Sequence, residues 1–150
     1  MLIAYLWAYG GLILATIVCL AAAIWGGVSE RIVAATFWLA WILTLVVEST
    51  GAKGPGDLVI LIDTAVLVIF VVLSARTRQL WLLLATASQL DDVASHFSAR
   101  LLHYGLFSYV VATGIWGGYF ITACLAAGTI GHQRRLRAQK ASKPPATAAA

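Results

Sequence analysis

Charge is what this sequence has least of. Six acidic and ten basic residues occur among 150, so charged side chains make up 11% of the chain. A soluble domain carries about 25%. Hydrophobic residues reach 61% and the mean hydropathy is +0.91, which moves the chain out of the soluble class from the other side as well. Two cysteines, Cys19 and Cys124, stand far apart with no CxxC or zinc spacing, and both fall in apolar runs where a thiol behaves as a small hydrophobe. Three histidines are too few for the histidine boxes of membrane di-iron oxygenases. The only methionine is Met1, so no methionine is placed to ligate an iron. HExxH, GxSxG and a glycine-rich phosphate loop are all missing, and the motif-based case for an enzyme is nearly empty. No internal repeat is evident, which leaves the inverted-repeat plan of many secondary transporters without support.

Long apolar runs are what remain, and they predict an all-α integral membrane bundle. A helix needs about 20 apolar residues to cross a bilayer, with roughly 17–25 tolerated. Five segments qualify, at about 2–25, 32–49, 58–74, 79–99 and 106–130. The first has no basic residue ahead of it and no small-residue cleavage site, so it reads as a retained helix rather than a signal peptide. Residues 1–131 form the bundle. Residues 132–150 read as a basic, disordered cytoplasmic tail whose Arg134, Arg135, Arg137, Lys140 and Lys143 hold it at the membrane surface. A nucleic-acid partner is not expected.

The fourth segment decides the topology. Leu80–Leu90 is too short to cross alone, and it spans only if the helix continues through the polar stretch that follows. With five spans the N-terminus is outside and the C-terminus inside. Arg31, Arg76, Arg78 and the five tail residues are then cytoplasmic, leaving Lys53 and Arg100 outside. With four spans, Lys53 and the tail oppose Arg31, Arg76, Arg78 and Arg100. The positive-inside rule favours five. A bacterial inner membrane, crossed several times, is the expected location.

Polarity concentrates in SQLDDVASHFSARLLHY, residues 88–104. At 100° per residue, Asp92, His96 and His103 share a stripe about 40° wide. Gln89 and Arg100 flank it, and Leu83, Leu90, Phe97 and Leu101 take the opposite side. Such a face must point into protein or a wet cavity. Reflecting helix three onto helix four about Thr77 puts Asp63 level with Asp91 and Asp92, in the outer half of the membrane. A charged aspartate at a helix centre costs about 2.5–3.5 kcal/mol on insertion scales, so Asp63 is expected to face protein.

The polar cluster therefore comprises Asp63, Gln89, Asp91, Asp92, His96, Arg100 and His103. One reading is a hydrogen-bonded structural cluster. Another is a proton or divalent-metal site on Asp63, Asp92 and His96, since i, i+4 spacing can place two ligands on one ion. Haem is not expected, because His96 and His103 lie about 10 Å apart along one helix and His132 is at the other membrane face. In the last helix, Gly114 and Gly118 form a GxxxG pair suited to close packing within the chain or against another subunit.

Trp81, Gln89 and His96, followed by Trp116 and the run AAGT, resemble uncharacterised small bacterial inner-membrane proteins over the last three helices. The resemblance implies membership without an activity. Two functions remain in view. The first is a non-catalytic accessory or scaffold subunit, bound to lipid and to other membrane subunits or to itself, with no cofactor. The second is a proton- or cation-handling protein using the Asp/His cluster. An intramembrane enzyme built on His96 and a carboxylate is a third and weaker one.

Overall fold

The computed structural model describes residues 2–49, 56–102 and 106–142, and every regular element among them is helical. The helices are α1 (Leu2–Trp25), α2 (Val28–Ser49), α3 (Asp57–Thr77), α4 (Leu80–Leu102), α5 (Leu106–Thr113) and α6 (Ile121–Ala141). A π-helical turn, Gly114–Phe120, joins α5 to α6 with right-handed helical backbone at both joints, so the three make one continuous rod. Val28–Val47, Asp57–Thr77 and Ser108–Ala141 are long and apolar enough to cross a membrane, and Tyr9–Trp25 is a shorter apolar stretch.

Four boundaries differ from the expected ones by three residues or more. α3 ends at Thr77 rather than about 74 and α4 at Leu102 rather than about 99. The other two have a clear physical cause. α2 begins at Val28 rather than near residue 32, because Glu30 lies in its first turn, where the exposed N–H groups of a helix favour a negative charge. The last rod does not end near residue 130 but runs to Ala141. Gln133, Arg134, Leu136, Arg137 and Lys140 are good helix formers, and basic groups suit a helix C-terminus.

Successive helices pack on one another, and the last rod closes the ring by packing on α4, α1 and α2. Small residues make this closure tight. Ala15, Cys19 and Ala22 of α1 follow i, i+4, i+7 spacing, and Val33, Ala34, Phe37 and Ala40 supply the facing stripe of α2. Val66 and Phe70, Leu82 and Ala85, and Ile121, Cys124 and Leu125 complete the core. Alanine and cysteine leave little side chain between backbones, the means by which helices approach in lipid. Both cysteines are free and buried. The outward faces of α1, α3 and α4 carry Ile13, Ile17, Leu61, Val68, Leu83 and Leu101, all exposed.

The α3–α4 turn sets the register of the polar cluster. Arg78 adopts the left-handed conformation (φ 52°, ψ 33°), and its N–H donates to the Ser74 carbonyl, which ends α3 abruptly. α4 starts two residues later. The Trp81 indole then packs on Gly128 of α6, where a methyl group would stand 2.5 Å from the ring. Only glycine lets these helices meet at that point.

Candidate functional site in the helical bundle

α4 carries its buried polar residues on one face. Ser88, Gln89, Asp92 and His96 are each at most 5% exposed, and they follow helical spacing. The opposite face shows Leu83, Leu90, Phe97 and Leu101 to the outside.

Asp63 of α3 meets this polar face. Its Oδ2 lies 2.8 Å from Nε2 of His96, and its backbone carbonyl accepts from Gln89 Nε2 at 3.3 Å. The Tyr109 hydroxyl of α5 lies 2.7 Å from Nδ1 of His96. The ring is therefore gripped at both nitrogens. In its neutral form Nε2–H donates to Asp63 and Nδ1 accepts from Tyr109; as imidazolium it donates to both.

Asp92 completes the group. One ligand atom each from Asp63, Asp92 and His96 can be chosen so that all three lie within 4.8 Å of one another. Oδ1 of Asp92 is buried and has no hydrogen-bond partner among the described residues. Its carboxylate rests against the π turn. A methyl group at position 117 would stand 2.5 Å from the Asp92 Cγ, so Gly117 is what admits the carboxylate. Ser88 fixes the same contact one turn away by donating to the Trp116 carbonyl at 2.6 Å.

These groups open onto a cavity of about 530 Å³ bordered by all five rods. Asp63, Gln89, Asp92, His96 and Tyr109 form its polar part, and Phe37, Trp41, Val59, Val66 and Tyr119 belong to the remaining wall. Phe37 and Trp41 contact edge to face, with ring centroids 5.5 Å apart.

A metal fits the donor set chemically. Two carboxylates and one imidazole are a common ligand set for divalent ions, and Tyr109 would hold the imidazole from behind. Tetrahedral zinc ligands lie about 3.4 Å apart, so the 2.8 Å His96–Asp63 contact would have to widen to admit the ion.

Of the residues expected in the cluster, the structure brings together Asp63, Gln89, Asp92 and His96. Asp91 is exposed and borders a separate hollow with Ser95, Ser98 and Ser108. Arg100 is in α4, but its side chain, like all of His103, lies outside the described residues. So do Lys53 and Lys143. Arg134, Arg135, Arg137 and Lys140 are exposed along the end of α6. Gly114 and Gly118 both fall in the π turn, and Gly118 is turned inward, with Trp41 in ordinary contact range of a methyl group there.

Tyr109 and Gly117 are absent from the sequence-based set. Reflection about the α4–α5 connection would have brought the start of the last helix level with His96, which is the signal for Tyr109. Gly117 had none, because its role depends on the π turn. No family model, no curated protein and no solved structure matches this chain.

Proposed function

We propose that this protein is a membrane-spanning bundle that binds and passes a cation at Asp63, Asp92 and His96. The observation that supports this best is the convergence of two carboxylates and an imidazole at one cavity, with one carboxylate oxygen buried and unpartnered. Buried charges of one sign are stable only when a proton or cation compensates them, and intramembrane acids commonly mark ion or proton paths. The accessory-subunit reading rests on the missing motifs, on small size and on the glycine pair, one member of which faces Trp41 within the chain. The cluster therefore makes the stronger case.

In this proposal α1, α2, α3, α4 and the last rod each cross a bacterial inner membrane, with the N-terminus outside and the C-terminus inside. The basic residues of the α6 end sit at the cytoplasmic surface, and the cavity lies in the outer half. A reporter fused after Ala150 then reads cytoplasmic and one inserted in the 51–56 loop reads external. An external C-terminus overturns the topology.

Function is tested in proteoliposomes under an imposed potential, with H⁺ and Zn²⁺ as probes. The wild type should carry one of them faster than protein-free vesicles. Asp92→Asn should cut the rate at least tenfold, and Asp91→Asn should preserve it. Wild-type flux equal to that of empty vesicles, or undiminished flux in Asp92→Asn, overturns the reading.

A further inference from the structure

Resting on the cation reading, we infer that the cavity accepts a protonated organic amine with an apolar, aromatic-sized body, its ammonium donating to Asp92. Three observations converge on this class.

The first is the number of acceptors on offer. His96 Nε2 engages Oδ2 of Asp63 at 2.8 Å, and Tyr109 holds the other ring nitrogen. Oδ1 of Asp92 is a buried acceptor left over: the residue is 95% buried by its 5% exposure, borders the cavity, and has no partner for that oxygen among the described residues. A positively charged N–H donor suits a buried carboxylate oxygen, and the other N–H groups of an ammonium have the Asp63 carboxylate and the aromatic faces of the same cavity beside them. A metal ion needs three or more ligands, and here it would have to part His96 from Asp63.

The second is size. About 530 Å³ is far more than a bare ion fills, and it lies within the roughly 300–1,000 Å³ typical of small-molecule sites. An ion alone would leave the rest of the cavity without a role.

The third is the wall. Tyr9, Phe37, Trp41, Tyr109 and Tyr119 all border the cavity. Aromatic faces carry negative potential, so they attract an ammonium group while their area accommodates hydrocarbon. An anionic ligand would meet two carboxylates, and a neutral apolar one would leave Oδ1 of Asp92 buried without a donor. The amine meets both demands. Gly117 adds rigidity, because the carboxylate is seated against the backbone of the π turn and need not move to receive the ligand.

The experiment uses the full chain in phosphatidylcholine nanodiscs, whose headgroup has no N–H, and equilibrium dialysis of radiolabelled 4-phenylbutylamine. Saturable binding is expected, weakened at least tenfold by Asp92→Asn and retained in Glu30→Gln, a buried carboxylate away from the cavity. Unlabelled 4-phenylbutanol, nearly the same shape without the charge, should compete at least tenfold less well than unlabelled amine. Nanodiscs containing phosphatidylethanolamine separate two sources of the ammonium: if that lipid competes, the occupant is a headgroup amine, and if it does not, a free one. Equal affinity in wild type and Asp92→Asn, equal competition by the alcohol, or no saturable binding overturns the inference. Asp92-dependent H⁺ or Zn²⁺ flux without amine binding would overturn it alone and leave the cation reading standing. Loss of both would remove both.

Discussion

Glu30 and Asp92 are both deeply buried acids, and each has one carboxylate oxygen without a partner among the described residues. Their surroundings differ in every other respect. Glu30 stands in the first turn of α2, where helix N–H groups favour negative charge, and His132 and Glu30 both crowd the space beside Gly27. Asp92 stands in the middle of α4, where no helix end can help, and it lies close to a second carboxylate on the wall of a cavity. The helix end offsets part of the charge at Glu30. Asp92 needs something from outside the fold, and burial of a carboxylate is therefore not by itself the mark of a site.

The same contrast divides the bundle into a packed region around Leu82, Phe70 and Leu125 and an open one around Asp92. Shortening a side chain in the packed region should have the largest effect. Leu125→Ala is expected to cost about 2–5 kcal/mol, because Leu125 is fully buried and truncation leaves a gap in the core. Val59→Ala, on the cavity wall, should cost less than half as much. Unfolding in a denaturing-detergent titration measures both, and equal losses would erase the distinction between the two regions.

Next in size is Gly117→Ala. The new methyl group collides with the Asp92 carboxylate, and overpacking of this kind costs about 1–3 kcal/mol. Gly10→Ala meets nothing within 4 Å and should be neutral or slightly stabilising in the same titration. If Gly10→Ala is the more harmful, the seat assigned to Asp92 is wrong.

The smallest effect is the most discriminating, because it is one of sign. Glu30→Gln removes a charge that the α2 N-terminus favours and should destabilise by about 0.3–1 kcal/mol. Asp92→Asn removes an acid whose charge burial and, after it, Asp63 oppose, and it should stabilise in the absence of any bound cation. Changes of the same sign in the two variants would break the comparison.

Which parts of this arrangement could be read from the sequence follows from helix geometry. The polar stripe of α4 needed only a constant rotation per residue, and the residues at 88, 89, 92 and 96 are buried while 83, 90, 97 and 101 are not. The depth of Asp63 needed only a constant rise. Reflection about Thr77 is enough for this, although the non-helical residues are Arg78 and Gln79: Asp63 reaches Gln89 with its carbonyl and Asp92 and His96 with its carboxylate. A left-handed arginine has no clear sequence signal.

The last rod was harder to read for the same reason. Gly114 and Gly118 both border the cavity, as a shared face requires, but the π turn also brings in Gly117, and it is Gly117 that makes the contact with Asp92. No composition rule separates a π turn from a glycine-rich α-helix. Apolar content marks only the end of the span near residue 130, whereas backbone propensity carries the helix onward to Ala141.

The π turn also acts as a phase shifter between two faces. A π ladder closes on the fifth residue instead of the fourth, so each such turn takes up one residue more than an α turn. One residue is about 100° of rotation. Were the rod an uninterrupted α-helix with Tyr109 still on His96, the buried stripe of α6, from Ile121 through Leu125 to Gly128, would point about 100° away from the core it fills. The turn lets α5 be indexed to the cavity and α6 to the packed core, two demands that a single helical period could not meet together.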